Sequence, residues 1–462
     1  MKISIKNLGA IKQAEFTLGD LTIICGSNNT GKTYATYALF GFLSFWRDAF
    51  SIKIPEADIR QLLNEGSIEL DSQDYIKNAR KILKNGCKAF TELLPTVFAS
   101  SEKHFSDSEF MVDLELNDIH PSPTFERTMG AAKTQLFSIS KKLDSPIVNI
   151  SLLVDKEKVK IPQDIINRIV GEALKEIIFG HLFPHPFIAS AERTGAAIFR
   201  KELNFARNRL LEQMSSMEKE INPFELLTKV YADYALPVKT NVDFTRQLEG
   251  LVKKDSFIAK QHPELLNDFA SIIGGRYLVT KNDELYYVPN GKRIKLTMDE
   301  SSSAVRSLLD IGFYLHHVAN PGDLLMVDEP ELNLHPENQR RVARLFSRLV
   351  NIGLKVFITT HSDYIIKELN TLIMLNHNKP RLKEIAVTEG YRTDELLSAD
   401  KVKVYIAEEA LVKLNGGQRK TLCQTLTAAD IDAKMGIEAP SFDKTIEEMN
   451  RIQEEIVWGG DE

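Results

Sequence analysis

Along the chain, short blocks of apolar residues are bounded by glycine, serine and carboxylate clusters. At the start Ile3 and Ile5 alternate with polar neighbours, which predicts a half-buried strand. Leu21 to Cys25 is a second, continuously apolar strand, and the oily run Tyr34 to Trp46 reads as a buried helix. That run is shorter than the ~20 residues of a membrane-spanning helix. Between about 50 and 185 the pattern loosens into polar helices and amphipathic strands. There Phe110, Val112, Leu114 and Leu116, and later Val148, Ile150, Leu152 and Val154, alternate with mainly polar residues.

Phe187-Ile188-Ala189 is a further apolar strand leading into SAERTG, and residues 198 to about 270 are charged and helix-favouring. Tyr277 to Val288 reads as a hairpin turning at Asn282-Asp283, and Arg293 to Leu296 as another strand. A serine triplet, a helix, the strand Leu324 to Val327, a second helix and a strand ending in FITTHS follow. Beyond about 390 the tail is mixed. Strands alternating with helices predict an α/β protein. At 462 residues, two or three lobes are expected rather than one core.

Two loops carry chemistry. Gly26-Ser27-Asn28-Asn29-Thr30-Gly31-Lys32-Thr33 fits G-x-x-x-x-G-K-[ST] and sits between an apolar strand and an apolar helix. In such a loop glycines let the backbone wrap a phosphate, and the helix N-terminus adds favourable charge. Lys32 is assigned to the β- and γ-phosphates of ATP, with Gly26, Asn28, Asn29, Thr30, Gly31, Thr33 and Tyr34 around the nucleotide and the Thr33 hydroxyl on Mg²⁺. In MVDEPELNLHP a buried strand ends in Asp328-Glu329. An uncompensated charge there is costly, so the strand is expected to stop at a ligand. Asp328 is assigned to Mg²⁺ and Glu329 to the attacking water.

Almost three hundred residues separate Lys32 from Asp328. With MKISIKNLGAIKQAEF, IICGSNNTGKT, SSSAVRSLLDIG, LLMVDEPELNLHP and FITTHS in this order, the chain resembles the ABC-type ATPase heads of the RecF, Rad50, SMC and OLD families. The resemblance implies a P-loop NTPase of ABC/SMC-head type, with a mixed central sheet and inserted α+β and helical lobes. The expected domains are a split head at 1–48 and 275–390, an α+β lobe at 49–185, a strand plus helical arm at 186–274, and a mixed tail at 391–462. It further implies that two protomers close face to face on ATP, each completing the other's site with a signature segment. Ser301 to Arg306 match that segment, and Ser302 and Ser303 would act in trans, although Ser303 and Ala304 stand where two glycines are usual.

His361, 33 residues after Asp328, matches the histidine that contacts the γ-phosphate, and Glu331 to His335 match the D-loop along the dimer seam. Arg193 resembles an arginine near the nucleotide or its coupling lobe. Glu389-Gly390 and Asp430-Ile431-Asp432 imitate parts of the OLD nuclease, but LCQTLTAA makes a poor buried strand and too little chain remains to complete that domain. The nearest resemblance is to stand-alone OLD-like ATPases, as in the Septu and PARIS anti-phage systems. It implies a homodimer or higher even-numbered oligomer controlling a separate nuclease effector.

A net charge of −6 excludes a global nucleic-acid coat and points to no membrane partner. DNA stays a candidate ligand through a cluster including Arg200, Lys201, Arg207 and Arg209, as in a DNA-repair clamp. Three scattered cysteines and no apolar leader lead us to expect a reducing, cytoplasmic setting.

Overall fold

The computed structural model describes residues 1–115, 119–131, 134–154, 162–199, 234–377, 379–414, 417, 419–437 and 448–456. It divides into two compact units, one made of Met1–Ser4, Phe42–Leu93 and Glu109–His185, the other of Ile5–Gly41, Leu94–Ser108 and Pro186–Glu462. The basic cluster Arg200, Lys201, Arg207 and Arg209 lies outside the described residues.

The first unit contains an antiparallel sheet in the order Ser67–Asp71, Ile147–Leu152, Thr134–Lys141, Phe125–Ala131. Alternation along Ile147–Leu152 buries Val148 and Ile150, as the sequence period requires. Phe42, Trp46, Phe50, Phe90, Phe110, Phe179 and Phe183 form an aromatic cluster, mostly edge-on or tilted. Such pairs add about 0.5–1.5 kcal/mol each beyond their burial.

The second unit is built on a six-stranded sheet in the spatial order Lys420–Ala428, Val402–Lys413, Leu21–Cys25, Lys355–Thr360, Leu324–Asp328, Pro186–Ala189. Only Lys420–Ala428 runs antiparallel, so the sheet is mixed, as expected. Leu21–Cys25 and Leu324–Asp328 are buried from end to end, which is why they read as continuous apolar runs. The helices Leu309–His317 and Pro336–Asn351 supply Leu309, Tyr314, Phe346 and Leu349 to the same core.

Several placements differ from the sequence reading. The tail enters the central sheet, because Val402, Val404 and Ile406 pair beside Leu21, Ile23 and Cys25. LCQTLTAA overlaps the edge strand Lys420–Ala428, where Thr425 and Leu426 are buried and Leu422, Thr427 and Ala428 are exposed. Gly275–Val279 and Leu285–Pro289 form the expected hairpin, with Asp283 at φ 57° in its turn. Arg293 to Leu296 is not a strand; a single bridge, Tyr287 to Leu296, remains. Three of its four residues are exposed, so little apolar burial supports a ladder. Residues 234–274 are helices packed into the core of this unit through Leu248, Ile258, Leu265 and Phe269.

Candidate active site

The P-loop leaves the strand Leu21–Cys25 and ends at the helix Lys32–Ala49. Two of its glycines are required by space as well as by angle. Gly26 has φ 145°, and a Cβ there would lie 2.5 Å from the Ala407 carbonyl oxygen; Gly31 has φ 93°, and its Cβ would lie 2.6 Å from Ile11. Asn29 takes a left-handed φ of 62°, which its short side chain tolerates. The Thr30 hydroxyl ties the loop to the Ser27 carbonyl at 2.8 Å. Lys32 is 6% exposed, and its Nζ donates to the carbonyls of Gly26 and Ser27 at 2.9 and 2.7 Å. Burial pulls the Lys32 ammonium below the usual lysine range, opposed by Glu329 and Asp328.

Ser27, Asn28, Asn29, Thr33 and Tyr34 are exposed along the loop, with Thr30 half-buried. The Tyr34 ring stacks on Phe98 at 5.1 Å and closes over Gly9, where a Cβ would meet it at 2.5 Å. Packing thus accounts for one face of Tyr34.

The strand Leu324–Asp328 is held between Lys355–Thr360 and Pro186–Ala189. Asp328 is 1% exposed; its Oδ1 accepts the Thr359 hydroxyl, and its Oδ2 has no hydrogen-bond partner. Burial raises the Asp328 carboxyl to about 6, while the hydrogen bond from Thr359 and the neighbouring Thr33 hydroxyl act against the rise. A buried, half-satisfied carboxylate beside a threonine hydroxyl fits a divalent cation. Among the described residues no group of three or more His, Cys, Asp or Glu forms a metal cage. Mg²⁺ is commonly bound by one or two carboxylates together with phosphates and water, a set to which Asp328 would contribute its unpartnered oxygen.

Glu329 has φ 53°, a strained value for a side chain of this size, and its N–H donates to the Thr359 carbonyl at 3.1 Å. His361 follows the strand Lys355–Thr360, just before the helix Asp363–Leu375 that Ser362 caps. Its Nδ1 lies 3.6 Å from Glu329 Oε1 and 3.1 Å from Glu331 Oε1. Lys32, Asp328, Glu329 and His361 therefore lie at or just beyond the carboxyl ends of three adjacent parallel strands, where α/β sheets bind ligands.

Arg193 opens a six-residue helix after Pro186–Ala189 and is 1% exposed. Its guanidinium donates to four main-chain carbonyls: Ser190 at 2.8 Å, Ser307 at 2.6 Å, Asp328 at 2.6 Å and Glu329 at 2.8 Å. It is a clamp on the acidic pair. Ser302 is exposed and caps the helix Ser303–Ser307 through a bond from the Val305 N–H; Ser303 is half-buried. Leu308 then breaks the helix before Leu309–His317.

Sequence reasoning missed three side chains here. Glu192 accepts from Tyr37 Oη at 2.9 Å and influences Asp328 electrostatically. Asp310 is buried with both carboxylate oxygens unpartnered. Glu331, read as the start of the D-loop, turns its side chain onto His361. ELNLHP gives no signal for that turn; the spacing from Glu329 was the only hint.

Residues 1–366 match the family profile described as AAA ATPase domain. None of the curated proteins matches the chain. Three solved structures align over most of both chains. An SMC head bound to the C-winged helix domain of ScpA shares 12% identity over 92% of this chain and 97% of its own, with a TM-score of 0.32. The SMC head domain from Thermotoga maritima shares 10% over 93% and 98%, at 0.28. An SMC head with an extended coiled coil, bound to the C-terminal domain of ScpA and derived from Pyrococcus furiosus, shares 13% over 98% and 98%, at 0.30. Scores this low add no weight to the profile match.

Proposed function

The chain belongs to the AAA ATPase domain family, and from that premise we propose a Mg²⁺-dependent ATP hydrolase that closes on a second copy of itself and controls a partner effector. Binding and hydrolysis of ATP follow from the family. The observation that carries the residue roles is the convergence of Lys32, Asp328, Glu329 and His361 at the ends of adjacent parallel strands.

Lys32 and the P-loop N–H groups neutralise the triphosphate. Thr33 and Asp328 would hold Mg²⁺, which supplies charge compensation on the phosphates. Glu329 orients the attacking water and takes its proton, and His361 contacts the γ-phosphate. Arg193 fixes the carbonyls of Asp328 and Glu329, so the two carboxylates stay in register with the loop.

Ser302 and Ser303, at an exposed helix start, would meet the nucleotide of a facing protomer. The resemblance to stand-alone OLD-like ATPases supports a separate nuclease effector and a role in anti-phage defence. Among the described residues no helix is long and apolar enough to cross a membrane.

The test is purification of tagged Glu329→Gln protein from its native host with ATP and Mg²⁺, followed by mass spectrometry and sedimentation. A closed dimer carrying a stoichiometric nuclease-type protein is expected. A monomer under saturating ATP would overturn dimer closure. Recovery of salt-released DNA without protein would replace effector control by a DNA-repair clamp.

A further inference from the structure

One side chain in this site has no role in the hydrolysis described above, yet it is more deeply buried than Glu329. Glu331 is 7% exposed. A single oxygen, Oε1, accepts the main-chain N–H of His361 at 2.8 Å and lies 3.1 Å from Nδ1 of the same residue. The other oxygen, Oε2, is buried without a hydrogen-bond partner. The loop around it is fastened on both sides. Leu334 N–H donates to the Glu331 carbonyl at 2.9 Å, and the Ser362 hydroxyl donates to Gln339 Oε1 at 2.5 Å.

Burying a carboxylate with one oxygen unsatisfied costs stability. The chain sustains that cost here beside Lys32 and Arg193, whose charges both sense Glu331. An imidazole held by a carboxylate at one nitrogen has its tautomer and ring orientation set by that bond. With Nδ1–H given to Glu331, Nε2 is left facing the nucleotide; unprotonated it accepts from the attacking water, and as an imidazolium it donates to a γ-phosphate oxygen. Glu329 is 3.6 Å from the same Nδ1 but more exposed, with 28% of its side chain accessible against 6% for Glu331. Of the two, Glu331 is the fixed partner and Glu329 the one free to serve the water.

We propose that Glu331 is a positioning residue for ATP hydrolysis: its buried carboxylate grips His361 by main chain and ring together and fixes which imidazole nitrogen meets the nucleotide. This rests on the hydrolytic reading of the site.

The experiment compares wild type, Glu331→Ala and Glu331→Gln, each folded by circular dichroism, using ¹⁵N-histidine NMR and steady-state ATP hydrolysis. The His361 resonance is assigned with a His361→Gln control. Wild type should show His361 protonated at Nδ1, and Glu331→Ala should move the proton toward Nε2. Glu331→Ala should lower kcat by about 10- to 100-fold, the usual cost of losing a group that orients a histidine, with ATP affinity unchanged. Glu331→Gln keeps an acceptor oxygen and should recover part of kcat and the Nδ1–H tautomer.

An unchanged tautomer in Glu331→Ala, or equal losses in both variants, would overturn the proposal. A wild-type chain that binds but does not hydrolyse ATP would instead sink the hydrolytic reading. The tautomer comparison needs no turnover, so the two failures are distinguishable.

Discussion

Arg193 and Asp310 share a buried neighbourhood without a hydrogen bond between them. Arg193 spends its guanidinium on four carbonyls, while both Asp310 oxygens are left without a partner. Burial raises the Asp310 carboxyl to about 7 despite the pull of Arg193. The arrangement places a fixed cation behind the acidic pair and a neutralisable acid behind the cation.

Arg193→Ala would take a donor from four carbonyls; those of Ser190 and Glu329 keep main-chain N–H partners, so the cost falls on Ser307 and Asp328, at about 1–3 kcal/mol for each carbonyl left unpaired. We expect a loss of about 2 kcal/mol or more in urea unfolding, with hydrolysis reduced as well. Arg193→Lys should rescue little, because an ammonium cannot span the planar fork. An unchanged unfolding midpoint for either variant would remove the clamp.

Asp310 ties stability to pH. Its carboxyl binds a proton more tightly in the folded chain, near pH 7, than in the unfolded one, near the ordinary 3.8. Between those values the native state holds more protons, so its contribution is present below about pH 4 and is lost as pH rises toward 7. Roughly three pKa units give a ceiling of about 4 kcal/mol. Asp310→Asn should therefore gain on wild type progressively from pH 4 to 7 in denaturant titrations. A constant difference across that range would refute this.

Lys32→Ala should weaken ATP binding by about 100-fold or more, since charge-assisted bonds to phosphate contribute about 1.5–3 kcal/mol each. Calorimetry on the purified chain checks it. Retained affinity would remove the P-loop assignment.

All three cysteines are free thiols. Burial pushes Cys25 up to about 12 and Cys87 to about 11, so neither forms a thiolate near neutrality. Alkylation at pH 8 should modify Cys423 alone in the native chain and all three in denaturant. Native labelling of Cys25 would contradict its position beside the P-loop.

The P-loop, the acidic strand end and the histidine turn were legible in the sequence because each joins a continuous apolar run to a polar cluster. Local pattern and chemistry coincide there. Glu331 and Asp310 were not, since one buried carboxylate among helix or turn residues resembles a surface position until packing surrounds it. The tail strand Val402–Lys413 was missed for a related reason. Its apolar positions give way to Glu408 and Glu409 halfway along, where the strand runs out of the buried sheet and toward solvent. Arg293 to Leu296 erred the other way: of the expected strand only Leu296 packs on the core, while Arg293, Ile294 and Lys295 are exposed.

The sheet order also governs when this enzyme can come into being. Leu21–Cys25 lies between Lys355–Thr360 and Val402–Lys413. The strand leading to the nucleotide loop therefore emerges from the ribosome hundreds of residues before either neighbour. Pairings so distant in sequence form slowly and leave oily edges waiting. A nascent chain halted before about residue 406 would carry its phosphate loop on a strand flanked on one side at most, so synthesis must pass that strand before ATP meets a fully flanked site.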